Sequence, residues 1–117
     1  VSQNSELKDA EILAKQSILK EDIWKRANGF LFRQRYRPSL AYRLALVAEG
    51  RFDAMIALGR SWEWDICAGH LIVSEAGGSV TTNFGDKILY NSKDGSSKGI
   101  IAGNLSIHKS LIKELDI

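Results

Sequence analysis

The sequence predicts an α/β domain: a layered fold with a largely parallel sheet flanked by helices. Three observations lead there. Short apolar runs at 53–58, 79–82 and 98–103 read as strands, and they alternate with amphipathic stretches long enough for helices. Helix caps stand where those stretches begin, at Ser39 and Asn104. Glycines stand where two of them end, at Gly50 and Gly77.

Taken in order, residues 5–16 fit a helix with Ser5 as N-cap and Leu7, Ala10, Leu13 and Ala14 on one side. A second short helix is expected over 20–27, stopping at Asn28-Gly29. Phe30, Phe32 and Tyr36 alternate with Leu31, Arg33, Arg35 and Arg37, which predicts a strand with one basic face, ended by Pro38. Ser39 then caps a helix to about Glu49, with Leu40, Leu44, Val47 and Ala48 as its core stripe. Asp53 to Leu58 is a short apolar strand, and a loop over 59–63 leads to a helix that is apolar almost all round and ends at Gly77. Ser79 to Thr82 is a strand, 83–86 a turn, 91–97 a surface loop and Lys98 to Gly103 an apolar strand. Asn104 caps a last helix whose Ile107, Leu111, Ile112 and Leu115 face inward.

Composition narrows the function classes. At 117 residues, 44% hydrophobic and 26% charged, the chain has the make-up of one soluble globular domain. A net charge of +2 gives no reason to expect nucleic acid or an anionic membrane as partner. No apolar run approaches the roughly 20 residues of a membrane span, no secretory leader is visible, and a cytoplasmic setting is the default expectation. The single Cys67 lies in the apolar helix and reads as a small core residue. His70 and His108 lack partners at ligand spacing and read as structural or surface residues.

Sites in α/β domains form where loops leave strand ends and helices begin. Ser39, Arg60 and Asp65 fall at such junctions. Asp65, in the first turn of the apolar helix, meets free N–H groups and the positive end of the helix dipole, which suits either a cap or a preplaced metal ligand. The start of the helix at Ser39 offers N–H groups that serve equally to close the helix or to hold phosphate oxygens. Arg43 lies one turn on from Ser39, on the same side. Arg43 and Arg60 read either as solvated charges or as contacts to an anion. Arg33, Arg35 and Arg37 read as a solvated face.

Trp64-Asp65, two residues, Ala68-Gly69, an apolar stretch and then Glu75-Ala76-Gly77-Gly78 resemble the C-terminal signature of the inositol monophosphatase family. Leu46-Val47-Ala48-Glu49-Gly50-Arg51-Phe52-Asp53-Ala54 resembles the helix end and strand start that precede it, so the likeness covers roughly residues 36 to 117, with 1 to 35 matching loosely. The resemblance implies the C-terminal half of a sugar-phosphatase-like αβαβα fold. It makes residues 1–117 a single C-terminal domain, with 1–29 a helical lead-in and 30–117 the family-like core.

It also implies that Asp65 is a magnesium ligand completing a second metal site, and that the turn at Ser39, Leu40 and Ala41 holds substrate, here without the family's glycine. Arg43 matches a lysine that bisphosphate nucleotidases of the family offer to a nucleotide phosphate. Ala57 falls where inositol monophosphatases carry a glutamate that contacts sugar hydroxyls. The family's Asp-Pro-x-Asp-Gly-Thr motif is absent, since the sole proline is followed by Ser39. The expectation is therefore one part of a longer, lithium-sensitive phosphomonoesterase acting on a small phosphorylated substrate such as an inositol phosphate or adenosine bisphosphate. On that reading the metal-binding N-terminal half is missing and the isolated chain is inactive. The alternative expectation is a noncatalytic interaction module that forms a homodimer.

Overall fold

The structure, a computed structural model, describes residues 1–25 and 31–117. Among the described residues, seven strands and three α-helices succeed one another as β1 (Glu11–Leu13), β2 (Arg33–Arg35), α1 (Leu40–Ala48), β3 (Ala54–Ala57), β4 (Ser61–Trp62), α2 (Glu63–Glu75), β5 (Ser79–Thr81), β6 (Ser96–Ser97), β7 (Ile100–Gly103) and α3 (Leu105–Glu114). The main sheet has the order β2-β1-β3-β7-β5, and β4 pairs with β6 in a separate two-stranded ribbon. β1 runs parallel to both β2 and β3, while β7 is antiparallel to β3 and to β5. Four of the five strands therefore point the same way, as a largely parallel sheet requires, and β7 alone is reversed between β3 and β5.

The sheet is buried on both faces, and the pleat sorts its residues between two cores. Ile12, Ala54, Ile56 and Ile101 pack with Ile107, Leu111 and Leu115 around α3. Leu13, Met55, Ile100 and Ala102 pack with Leu44, Val47, Ile66 and Val73 under α1 and α2. No helix among the described residues is long and apolar enough to cross a membrane.

The N-terminal expectation is corrected. Residues 5–16 form no helix: a single 3-10 turn at Leu7–Asp9 leads into β1, in the middle of the sheet. Ile12 and Leu13 are both wholly buried on opposite faces, so the run shows no alternation and its period does not distinguish strand from helix. Residues 1–25 are thus no helical lead-in, since β1 belongs to the core. The helix expected over 20–27 is replaced by a 3-10 turn at Ile18–Lys20 and a bridge from Trp24 to Leu115 as far as residue 25, and the remainder, with Asn28, Gly29 and Phe30, lies outside the described residues. The basic strand shortens to β2, at the sheet edge, with Arg33, Arg35 and Arg37 exposed.

The second half agrees closely with the expectation. Ser39 caps α1 by accepting from the Tyr42 amide at 3.3 Å, and Gly50 leaves the helix at φ +82. Asn104 caps α3 by accepting from the Ile107 amide at 2.8 Å, while its Nδ2 donates to the Ser2 and Asn4 carbonyls and to the Ser2 hydroxyl. The 91–97 loop is more ordered than a plain surface loop: Glu63 accepts from the Asn91 and Ser92 amides and from the Ser92 hydroxyl.

Candidate functional site

β1, β2 and β3 end together at one edge of the sheet, and their exits gather there: Lys15 after β1, Tyr36 and Arg37 after β2, Leu58, Gly59 and Arg60 after β3. α1 begins just beyond β2, and α2 begins just beyond the β3 loop and β4. The carboxyl edge of the parallel strands is where α/β folds place their sites.

At the start of α1, Ser39 is exposed and adopts φ +73, a backbone region that costs a non-glycine residue of order 1 kcal/mol. Glycine adopts such a conformation without that cost. Leu40 is half-buried and Ala41 exposed in the first turn. Arg43 folds back on that turn: its Nε donates to the Ser39 carbonyl at 3.3 Å, and its guanidinium lies 5.6 Å from the centre of the Tyr36 ring. Partial burial pulls the Arg43 pKa down, opposed by the neighbouring Tyr36.

Beside Arg43 lies a crevice of about 350 Å³, lined by Lys15, Ile18, Tyr36, Arg43, Ile56, Ala57, Leu58 and Gly59. That volume falls at the lower end of the roughly 300–1,000 Å³ typical of small-ligand sites. The loop that forms its β3 side is pinned by Asn83, whose Nδ2 donates to the Leu58 carbonyl at 2.7 Å. Ala57 sits in this wall, where it offers a small apolar surface.

At the start of α2, Asp65 stands in the first turn together with Glu63. Glu63 is engaged with the 91–92 backbone, and these hydrogen bonds, that from the Ser92 hydroxyl first, hold its carboxyl below the usual range. Asp65 is exposed and has no hydrogen-bond or ion-pair partner among the described residues. It lines none of the concavities of this chain that border Arg43, α3 or the outer side of α2. No cluster of three or more His, Cys, Asp or Glu able to hold a metal exists among the described residues. Arg60 is exposed and its guanidinium lies 4.2 Å from the Trp62 ring, which stacks on Trp64 at 4.9 Å and 6°. Ser39, Leu40, Ala41 and Arg43 are thus brought together on α1, while Arg60 and Asp65 belong to the β4–α2 corner.

α2 is covered on one face only. Ile66, Gly69 and Val73 are buried, whereas Trp64, Leu71 and Ile72 are 72%, 61% and 50% exposed. Cys67 is exposed too, which corrects its assignment to the core. The all-round apolar character that predicts cover on several sides finds it on one. His70 and His108 take structural places: His70 Nδ1 lies 2.6 Å from the Tyr90 hydroxyl and His108 Nε2 2.8 Å from the Thr81 hydroxyl. Burial, with the nearby Cys67 and Glu63 adding to it, pushes Tyr90 up to about 12.

Sequence reasoning does not single out Lys15 and Tyr36 as site residues. Its helix over 5–16 takes in Lys15, and only the true place of that residue at the end of β1 brings it beside Arg43.

The sequence model of the inositol monophosphatase family matches residues 1–117, wider than the motifs alone suggest. The chain is 40% identical over 99 residues to inositol-1-monophosphatase of Bacillus subtilis, covering 85% of this chain and 34% of that protein. It is 41% identical over 88 residues to the fructose-1,6-bisphosphatase/inositol-1-monophosphatase of Methanothermobacter thermautotrophicus, covering 73% of this chain and 31% of that protein. The solved Thermotoga maritima IMPase superposes with a TM-score of 0.73 at 32% identity, over 97% of this chain and 42% of that one. The chain thus spans about a third of the length of these two curated relatives. On this match, the chain belongs to the inositol monophosphatase family.

Proposed function

We propose that this chain supplies the C-terminal part of a magnesium-dependent phosphomonoesterase that hydrolyses a small phosphate monoester, such as an inositol phosphate or adenosine bisphosphate. The observation that carries the reading is the family match across the whole chain. The position of Asp65 supports it: an unengaged carboxylate on the first turn of a helix is the hard, preplaced oxygen donor magnesium uses, together with waters and substrate phosphate. Bound magnesium supplies Lewis-acid activation of water and offsets charge on the leaving oxygen.

The chain's own residues divide the rest of the work. The first turn of α1 (Ser39, Leu40, Ala41) directs backbone N–H groups at phosphate oxygens. Arg43 and Arg60 attract and orient the anion. One carboxylate does not retain magnesium against water, so turnover needs the further polypeptide that the longer relatives contain. The test is Asp65→Asn in the protein that carries this chain, assayed for magnesium-dependent phosphate release from inositol 1-phosphate and adenosine 3',5'-bisphosphate. A loss of at least tenfold, with a matching loss of magnesium affinity by calorimetry, is expected; unchanged turnover removes Asp65 from the mechanism.

A second reading rests on the open face of α2. Trp64, Leu71 and Ile72 form exposed apolar surface of the kind that mediates self-association. A noncatalytic homodimerising module would sediment as a dimer and bind neither magnesium nor phosphate esters.

A further inference from the structure

The net charge of +2, which by itself points to no polyanion, is unevenly spread. Residues 31–48 contain four arginines and neither Asp nor Glu, so a basic stretch runs from β2 into α1. Arg43 turns back on the first turn of α1, but Arg33, Arg35 and Arg37 are exposed. Arg33 and Arg35 share one face of β2 and stand about 6.6 Å apart, two residues of an extended strand. Through its pairing with Leu13, Arg35 faces the side of the sheet that α1 and α2 cover, and Arg37 follows with its guanidinium 5.2 Å from the centre of the Phe52 ring on that side. β2 is an edge strand: the Arg33 amide and the Arg35 carbonyl bond to Ala10 and Ala14, which turns the backbone groups of Gln34 and Tyr36 outward. The arginines take those outward carbonyls themselves. Arg35 Nη1 donates to the Gln34 carbonyl at 2.9 Å and Arg37 Nη1 to the Tyr36 carbonyl at 2.7 Å. An added peptide strand therefore finds this edge blunted. A guanidinium has five N–H donors, so most remain for another partner. The carboxylate that meets the row, Glu11, lies 3.4 Å from Arg35 in a solvent-exposed pair of little strength. Two open rings belong to the same stretch: Tyr36 and Tyr42 are 50% and 47% exposed.

We infer that the edge of β2, with the start of α1, is a binding surface for single-stranded nucleic acid, in which Arg33, Arg35 and Arg37 hold backbone phosphates and Tyr36 and Tyr42 stack on bases. Guanidinium forks match phosphate oxygens, and every base offers a face to an exposed ring, so a patch of this make-up binds with little regard to sequence. The interleaving of charge and open ring favours a nucleic acid over an acidic peptide, which has no use for the rings and is denied a strand to extend. The surface uses none of Ser39, Arg43, Arg60 and Asp65, so it stands apart from the phosphatase reading.

The test is fluorescence anisotropy of a labelled oligouridine of about 12 nucleotides with the protein that carries this chain, in EDTA, between about 50 and 200 mM salt. Three phosphate contacts predict a slope of log affinity against log salt of about −2. Arg33→Gln, Arg35→Gln and Arg37→Gln should each weaken binding several-fold and lower the magnitude of that slope by about 0.7, and the triple variant should abolish binding. Tyr42→Ala should weaken binding by at least about fivefold and leave the slope unchanged, because it removes a stack and no charge. Replacing all three arginines by lysine keeps the charge and should keep the slope, which separates lost phosphate contacts from a lost fold. A polyglutamate peptide, phosphatidylserine vesicles and a duplex RNA serve as competitors, each expected to displace the oligouridine poorly. No binding at the lower salt, affinity and slope unchanged in the triple glutamine variant, or displacement by peptide, vesicle or duplex as effective as by unlabelled oligouridine overturns the assignment. Loss of the phosphatase reading would show elsewhere, as absent magnesium-dependent hydrolysis with oligouridine binding intact.

Discussion

Replacing Gly69 by alanine sets two effects against each other. In an exposed helix interior the change stabilises by about 1 kcal/mol. Here an added Cβ would stand 2.5 Å from Leu44 Cδ1, 2.7 Å from Leu44 Cβ and 3.1 Å from Leu44 Cγ. Ordinary carbon contacts lie at about 3.5–4.0 Å, so roughly an ångström is missing. The Cδ1 contact can be relieved by a new rotamer, but Leu44 Cβ is bonded to the backbone of α1 and retreats only if the helix does. Overpacking of this kind costs about 1–3 kcal/mol, and contact with a backbone-attached atom puts the cost near the upper end.

The net expectation is destabilisation by about 1–2 kcal/mol, the overpacking cost less the gain in helix propensity. At about 2.1 cal/mol/K of unfolding entropy per residue, this chain's length makes that a fall in Tm of roughly 4–8 °C. Thermal and urea unfolding of the wild type, Gly69→Ala, Leu44→Ala and the double variant measure it. The cycle should show a favourable coupling of at least about 0.5 kcal/mol, since truncating Leu44 opens the space the methyl needs. A Tm that is unchanged or raised in Gly69→Ala, or strict additivity, refutes the close-contact argument.

Three further perturbations have definite expected outcomes. Asn104→Ala removes the α3 cap, worth about 1 kcal/mol, and the bonds to Ser2 and Asn4, so a loss of about 2–3 kcal/mol is expected in urea melts; a loss under about 1 kcal/mol contradicts the role of Asn104 as a tie. Burial holds both His70 and His108 below the ordinary value of 6.5, with Lys87 adding to the effect at His70. The unfolded chain then takes up protons at higher pH than the folded one, so stability is fully present above about pH 7 and declines as pH falls through the window below 6.5. Urea midpoints at about pH 7.5 and 5.5, either side of that value, measure this, and His108→Asn should flatten the difference. Asp65→Asn should leave the fold intact, costing no more than about 1 kcal/mol through the lost charge at the helix start, which circular dichroism and Tm check.

From α1 onward the fold is legible in the sequence because each helix carries its own punctuation. Ser39, Gly50, Gly77 and Asn104 mark helix ends by chemistry local to a turn, and the structure finds α1, α2 and α3 between them. The beginning is not legible because β1 is three residues long, buried on both sides and held by neighbours distant in sequence, Arg33–Arg35 and Ala54–Met55. Reading β1 as helix hides half of the candidate site as well: Arg43 is visible one turn from Ser39, but nothing local tells that Lys15 ends up beside it. α2 misleads in another way. Its sequence is apolar on all sides, whereas the cover this chain provides reaches one side.

The close seating of Gly69 on Leu44 also governs how the two helix starts behave as a pair. At 1.5 Å of rise per residue, Leu44 sits about 6 Å from the first residue of α1 and Gly69 about 9 Å from that of α2. Glycine lets the two rods touch backbone to side chain at that waist, like scissor blades riveted too tightly to slide. Ser39 and Asp65, each at the tip of one blade, then keep a fixed relation without touching. A rivet loosened by mutation would therefore blur the spacing between the Ser39 tip and the Asp65 tip, although neither tip had been altered.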